Sequence, residues 1–288
     1  MVEENKKNIL ITGSGGFIGS NLRGYFEEKF NVLSPRSFEL NLLDEISVEK
    51  YFKQNNIDFV LHCAANGAII SNDATVQEVA DKNILMFNNL AKILSSKQYM
   101  INFGSGAEYD KKQNLNKIKE SDFGRSIPTD PYGYSKYVIS KEIEKYDNIL
   151  NIRLFGVYGK NEKESRFPTN AISKNLRKQP ITINKNVVFD YLYIEDLCKI
   201  IEIFIQKKPS EKFINITPTQ SISLFEIAQI VNKISDFKSE IIIKEQGFNK
   251  EYTGDNSKLL NEINDFRFTP YEEGLKDVFS QLNFLQGR

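Results

Sequence analysis

The chain has 288 residues, a length that suits one large α/β domain or two domains sharing a cleft. Its 38 basic and 38 acidic side chains balance, with no basic stripe interleaved with aromatics, which argues against a nucleic-acid partner. No apolar run approaches the roughly 18–20 residues of a membrane span, and the opening MVEENKKN has no apolar h-region, so the expectation is a cytoplasmic protein.

In chain order, residues 8–12 read as a buried parallel strand and 17–28 as a helix. A short strand at 31–34, a helix at 48–54 and an apolar strand at 59–63 follow. A long helix at 76–94 carries Val79, Asn83, Met86, Leu90 and Leu94 at helical intervals. Then come a strand at 99–103, a helix at 134–146 and a strand at 151–155. Repeated strand-helix units of this length predict a Rossmann-type, doubly wound parallel sheet with right-handed crossovers. Such sheets bind ligands beyond the carboxyl ends of their strands. After 155 the rhythm loosens: a polar loop at 161–168, a helix at 168–178 opened by its proline, a strand at 187–193, and helices at 195–206 and 222–234. The expected division is a dinucleotide-binding domain over 1–160, rejoined by 187–207. A smaller mixed substrate lobe is expected over 161–186 and 208–288.

Two cysteines, Cys63 and Cys198, sit in apolar runs and read as buried thiols. The one histidine, His62, excludes a multi-histidine metal site, and any Ser-His-Asp triad would depend on it alone.

Gly13, Gly16 and Gly19 form GxxGxxG between a strand and a helix. The first glycine permits the sharp turn, the second lets backbone approach a pyrophosphate, and the third lets helix and strand pack closely. The free N–H groups of the helix start face the phosphates. The bland alternative, a plain turn, does not account for the βαβ rhythm around it. The end of the second strand selects the cofactor. There VLSPRSFEL carries Arg36 and no carboxylate before Glu39, and a guanidinium suits the 2′-phosphate of NADP. NADP is therefore expected, with NAD the alternative if Arg36 is only a solvated surface residue. Asn41 and Leu42 follow where an adenine edge would lie.

Ser105 ends the strand INFGS, and Tyr132 and Lys136 lie four apart on one helical face. An ammonium beside a phenol favours the phenolate, so such a tyrosine can exchange a proton with a substrate oxygen near neutral pH. Ser105 is placed to hydrogen-bond the same oxygen. Alone, YxxxK is common in helices and the alternative is a surface pair; its meaning comes from its company.

That company resembles the extended short-chain dehydrogenase/reductase family, nucleotide-sugar branch. The matching motifs are TGSGGFIG (12–19), VLHCAA (60–65), FGSGAEY (103–109), YGYSK (132–136), RLFGVYG (153–159) and YLYIEDL (191–197). ELNLLD (39–44) is shared with GDP-fucose synthase, and the resemblance is to the GDP-fucose synthase-like and 4-ketoreductase members. The resemblance implies Tyr132 as proton donor or acceptor. Lys136 would hold the nicotinamide ribose and tune the tyrosine, with Ser105 at the Ser/Thr position. It places the cofactor against Phe17, Ile18, Ala64, Ala65, Asn83, Phe103 and Leu154. His62, under the cofactor in that fold, is expected to pack rather than catalyse. It also implies a homodimer through the helices at 76–94 and 134–146.

The departures narrow the reaction. Family 4,6-dehydratases have Asp-Glu where this chain has Gly106-Ala107, so dehydration lacks its acid and base. The epimerising cysteine of GDP-fucose synthase falls at Ala107. Its histidine falls near Arg166-Phe167. Gly156 and Lys160 replace an asparagine and a proline of the family motif, and Phe189 replaces an arginine. Gly106, Ala107, Gly156, Arg166, Phe167 and the segment YTGDNSKL (252–259) are the candidate substrate contacts; for Arg166, Phe167 and that segment, a structured loop is an equal alternative. The expectation is NADPH-dependent reduction of a keto group, at C4, on a nucleotide-activated deoxysugar. The alternatives are a redox-neutral epimerase holding NAD tightly and a catalytically silent NADP-binding subunit.

Overall fold

The computed structural model describes residues 6–66 and 76–286; of MVEENKKN, only residues 6–8 fall within them. In chain order the elements begin β1 (Asn8–Thr12), α1 (Phe17–Phe26), β2 (Asn31–Leu33), α2 (Glu45–Gln54), β3 (Phe59–His62), α3 (Val76–Ile93) and β4 (Tyr99–Ser105). A 3-10 turn (Gly106–Tyr109) leads to β5 (Leu115–Ile118), α4 (Pro131–Ile143), β6 (Ile149–Leu154), β7 (Gly156–Tyr158), α5 (Phe167–Leu176), β8 (Ile181–Asn186), β9 (Val188–Phe189) and β10 (Tyr191–Tyr193). Then come α6 (Ile194–Gln206), β11 (Phe213–Ile216), β12 (Ile222–Ser223), α7 (Leu224–Ile234), β13 (Ile241–Phe248), β14 (Tyr252–Gly254), α8 (Ser257–Ile263) and α9 (Tyr271–Gln286).

The chain divides into two units. One holds the described residues up to Lys111, Glu120–Leu154 and Ile203–Ile214; the other holds Lys112–Lys119, Phe155–Glu202 and the described residues from Asn215 onward. The segment returning to the first unit is therefore 203–214, not 187–207. The first unit also ends at Leu154 rather than 160, because the chain passes straight from β6 into β7, which pairs with β10.

The six-stranded sheet runs β11-β6-β4-β3-β1-β2, and its pairs from β2 through β6 are parallel. Strands β3, β4 and β6 are buried at every residue, as expected of parallel strands covered on both faces. Leu10, Val60 and Met100 of the sheet pack with Val48 of α2, Phe87 and Leu90 of α3, and Ile139 and Ile143 of α4. β1 leads to β2 on one side, and the chain returns to β3 on the other. The strand order therefore reverses at β1, where such sheets open a ligand crevice.

Two helices start earlier than apolar spacing implies, because caps set them. Asp44 accepts the Ile46 N–H at 3.0 Å, so α2 begins at Glu45 rather than 48. Asp130 accepts the Gly133 N–H at 2.9 Å with Pro131 at the first helical position, so α4 begins at 131 rather than 134. The expected strand at 187–193 is two short ones, β9 and β10, broken at Asp190. That carboxylate is fully buried in the second unit and receives Ser221 Oγ (2.6 Å), the Gly254 N–H (2.8 Å) and Lys117 Nζ (3.2 Å). The strand at 187–193 breaks where this side chain turns inward to fasten three segments. Ser223 caps α7 through a reciprocal pair with Glu226, so the expected helix at 222–234 yields its first two residues to β12. Cys198 is buried, but Cys63 is only half-buried, lying one residue past the end of β3 where the strand emerges.

Two contacts at the crevice are close enough to test. A Cβ on Gly19 would lie 2.3 Å from the Gly13 carbonyl oxygen. Gly19→Ala is expected to lose about 1–3 kcal/mol in urea unfolding, by forcing α1 away from β1; unchanged stability would show that α1 is not held this close. His62, 2% exposed, shares a 2.8 Å hydrogen bond from Nδ1 with Thr12 Oγ1, and the same oxygen accepts the Ala64 N–H at 3.3 Å. Burial first, and then the charge of Lys136, lowers its pKa to about 3. The folded value lies below the unfolded one, so this stabilisation is present above pH about 6.5 and lost as pH falls toward 3, by about 5 kcal/mol at most. His62→Gln is expected to flatten that acid limb in pH-dependent unfolding; an identical limb would contradict the assignment.

Candidate active site

The glycine loop has the shape its sequence requires. Gly13 sits at φ +68°, and a Cβ there would lie 2.7 Å from the backbone of Ala64. The ends of β1 and β3 thus abut at the crevice. The Gly16 N–H closes onto the Gly13 oxygen at 2.9 Å, and Gly16 is the N-cap of α1. Phe17 and Ile18 open that helix, half-buried, with first-turn N–H groups that have no intrahelical acceptor. Arg36 is exposed after β2, and its Nη1 lies 3.0 Å from the point where a Gly15 Cβ would stand. Its backbone N–H is held by Glu39 Oε2 at 2.7 Å. The guanidinium therefore lies over the glycine loop. Among the described residues, a Cβ at Gly15 would meet only that guanidinium within 4 Å and one at Gly16 only the Gly13 oxygen, so this backbone fits a dinucleotide with its diphosphate at the start of α1.

Other expected cofactor contacts take varied places. Ala64, against Gly13, and Ala65 follow the end of β3, half-buried and exposed respectively. Asn41 is exposed and bonds the Leu43 N–H, whereas Leu42 points into the core, its carbonyl taken by Asn89 Nδ2 at 2.9 Å. Asn83 was expected at the cofactor, yet it spends its amide on protein. It accepts the Asn66 N–H (2.7 Å) and donates to Asn66 O and Ser135 Oγ (both 3.2 Å), bracing α3 against α4 and the loop after β3. Phe103 and Leu154 are buried near the ends of β4 and β6.

Ser105, Tyr132 and Lys136 converge within the first unit. Ser105 is the last residue of β4, 8% exposed. Its Oγ accepts the Ala107 N–H at 3.1 Å, which leaves its own proton to point elsewhere. Tyr132 lies in the first turn of α4 and is half-buried. Lys136, one turn on and buried, donates from Nζ to Phe103 O at 2.7 Å; the same Nζ is 5.9 Å from the Tyr132 ring centroid. Burial pulls its pKa below the usual lysine range, against which the charges of Glu108 and Cys63 push it back up. Gly133 makes the convergence possible: a Cβ there would come within 2.9 Å of Ala107 O. Gly106 and Ala107 are buried in the 3-10 turn after Ser105 and present no acid or base.

Some residues escaped the sequence reading. Glu108 and Arg153, both buried, pair at 2.6 Å beneath Ser105. Lys111 places Nζ 5.9 Å from the Tyr132 ring centroid and 4.0 Å from Asp130. Asp130-Pro131 was a legible helix-start signal; Glu108 and Arg153 sat inside quoted motifs with nothing in sequence to say that they meet.

The second unit holds the remaining expected substrate contacts. Gly156 has no room for a side chain, because a Cβ would lie 2.9 Å from the Tyr191 ring. The ring occupies the space a side chain at 156 would need. Phe155, Phe189, Tyr191 and Tyr252 form an aromatic cluster with centroids 5.1–5.7 Å apart. Arg166 is the exposed N-cap residue of α5 without a side-chain cap bond, and Phe167 begins that helix half-buried. Glu162 accepts from Thr169 Oγ1 at 2.5 Å, and burial raises its pKa to about 7.

The profile of the NAD dependent epimerase/dehydratase family matches residues 9–217. GDP-6-deoxy-D-talose 4-dehydrogenase of Aggregatibacter actinomycetemcomitans is 28% identical over 289 residues, covering 94% of this chain and 96% of that protein. Two solved structures share the fold. One is the UDP-glucose 4-epimerase of Thermotoga maritima with UDP-glucose, at TM-score 0.81 and 21% identity, covering 97% of this chain and 99% of that one. The other is the GDP-L-fucose synthetase of Naegleria fowleri bound to NADP, at TM-score 0.84 and 17% identity, covering 98% and 94%. Among the described residues, no helix is long and apolar enough to cross a membrane. The family match covers well over half of the chain and includes the glycine loop, Ser105, Tyr132 and Lys136, so the chain belongs to the NAD dependent epimerase/dehydratase family.

Proposed function

We propose that this protein reduces a keto group, at C4, of a nucleotide-linked deoxysugar at the expense of NADPH. The observation that carries the reading is the site around Ser105. A donor hydroxyl, a phenol and a buried lysine converge there, while the two residues after Ser105 offer neither acid nor base. The relative that is 28% identical acts, by its name, at position 4 of a GDP-linked 6-deoxy sugar, which fits the same substrate class.

The glycine loop, Arg36 and Lys136 hold the cofactor, with Arg36 on the 2′-phosphate. Bound there, NADPH supplies the hydride for the carbonyl carbon. Tyr132 gives its proton to the oxygen, which gains charge as the reduction proceeds. Ser105, with an oxygen lone pair committed to Ala107 N–H, donates its hydrogen bond to that same oxygen. Lys136 stands beside the phenol, its pKa pulled down by burial and pushed back up by Glu108. Charge accumulates on the oxygen only in the transition state, so donors fixed around it accelerate the step rather than tighten ground-state binding. Arg166, Phe167 and the aromatic cluster are the candidates for binding the sugar nucleotide. The protein works as a homodimer through α3 and α4, where Leu85 (43%) and Tyr134 (41%) are exposed.

Wild-type protein is expected to oxidise NADPH with at least one member of a panel of nucleotide-linked 4-keto-6-deoxyhexoses. Tyr132→Phe should lower that kcat by about 10²–10⁴-fold. No turnover across the panel would sink the enzyme reading in favour of a silent subunit. Purified protein carrying stoichiometric, tightly held NAD would favour the redox-neutral epimerase. Arg36→Ala should raise KM for NADPH by about 10–100-fold, the value of a lost charge-assisted hydrogen bond, with little effect on NADH. An equal change for both cofactors would remove Arg36 from the 2′-phosphate. Light scattering should give twice the monomer mass, and monomer for Leu85→Glu/Tyr134→Glu.

A further inference from the structure

We propose that Glu108, locked by Arg153, is a positioning residue for the reaction: the buried pair fixes Ser105 against the helix that carries Tyr132 and Lys136. This inference rests on the catalytic assignment of those three residues and extends it to a pair that touches none of the reacting atoms.

Glu108 is 0% exposed and lies three residues beyond Ser105. The turn folds its carboxylate back under the strand end. There Oε1 accepts the Ser105 N–H at 2.9 Å, while Ser105 Oγ accepts the Ala107 N–H. Gly104 makes room for this return: a Cβ at 104 would lie 2.4 Å from Glu108 Oε1 and 2.6 Å from Asn151 Oδ1. The other carboxylate oxygen accepts Arg153 Nε at 2.6 Å, and Asn151 Nδ2 reaches both oxygens at 3.2–3.3 Å. Arg153 is 1% exposed and uses its remaining nitrogens on Tyr109 OH and Ser140 Oγ, both at 2.9 Å. Its guanidinium is 4.5 Å from the Phe123 ring centroid and 5.1 Å from that of Phe213. Ser140 lies one turn after Lys136 on α4, so a single guanidinium joins the catalytic helix, β6 and the turn that carries Ser105.

Stability does not explain this arrangement. A buried ion pair is costly to desolvate, and apolar side chains of similar volume often hold a fold as well or better. What the pair adds is direction. A carboxylate with fully assigned hydrogen bonds allows one orientation of the Ser105 backbone, where an apolar contact would allow several. The pair has an electrostatic consequence too. Lys136 faces Glu108 from the turn, His62 and Cys63 from the end of β3, and Tyr132 from its own helix. Of these, Glu108 contributes the leading charge that opposes neutralisation of Lys136 by burial.

The test uses full-length protein with NADPH and a GDP-linked 4-keto-6-deoxyhexose as probe. Glu108→Gln leaves a buried guanidinium without its counter-charge, so the deciding variant is Glu108→Gln/Arg153→Met, which removes both charges. The double variant is expected to melt near wild type and to keep NADPH affinity and sugar KM within a few-fold. Its kcat should fall by about 10²-fold, the cost of displacing a catalytic group by about 1 Å. The alkaline limb of its kcat–pH profile should move to lower pH, because Lys136 loses the charge that keeps it protonated. A folded double variant with wild-type kcat and an unmoved limb would overturn the proposal. Tyr132→Phe, run beside it, reports on the catalytic reading itself. If wild type turns over no member of the nucleotide-sugar panel, that reading fails, and a crystal structure of the double variant then decides positioning. Ser105 displaced by about 1 Å supports the proposal; Ser105 unmoved overturns it.

Discussion

Beneath the end of β4 a carboxylate and a guanidinium meet at 2.6 Å, both shut away from water. Around that contact the rest of the site is arranged. The turn after Ser105 closes on the carboxylate, and β6 supplies the guanidinium and Asn151. Helix α4 is tied in through Ser140, and again through Lys136 Nζ on Phe103 O. None of these links involves a flexible surface side chain. The catalytic candidates stand on a strand end and the first two turns of a helix, which hold geometry better than loops do.

The cofactor side of the crevice depends on a different constraint, the absence of side chains. Gly13, Gly19 and the Ala64 backbone are so close that added atoms at either glycine would part β1 from α1 or β3. The surface of the loop is therefore made of backbone, and among the described residues a Cβ at Gly15 would meet only Arg36 within 4 Å. In the second unit the chain departs at Gly156 and Phe189 from the family motif it resembles. Tyr191 fills the space of a side chain at 156, and Phe189, Phe155 and Tyr252 cluster with it. These rings lie within a unit whose buried Asp190 pins its own strands.

Much of the first unit was legible because its demands are local. A buried parallel strand is an apolar run, and a phosphate loop must have glycine where Cβ does not fit; β1, β3 and the loop were read nearly to the residue. Ser105, Tyr132 and Lys136 were legible as a set because motif company, not spacing alone, identified them. The structure's additions come from longer range. Glu108 and Arg153 are 45 positions apart in sequence and meet only because β4 and β6 are neighbours in register. Strand β11 is four residues after a charged linker, too short to distinguish from loop, yet it extends the central sheet. Strand β13 is exposed along most of its length, so its apolar pattern fades after Ile243, and its pairing with β8 was invisible. Helix α4 was placed three residues late because apolar periodicity was weighed above the Asp130-Pro131 cap.

The central claim is that hydride leaves the cofactor for a sugar carbonyl and is not returned. NADPH carrying deuterium at both C4 positions of the nicotinamide, supplied with a nucleotide-linked 4-keto-6-deoxyhexose, tests this directly by NMR of the isolated sugar product. The account predicts one deuterium at sugar C4 for each NADP formed. A sugar product without that deuterium, with NADPH left unoxidised, would contradict it.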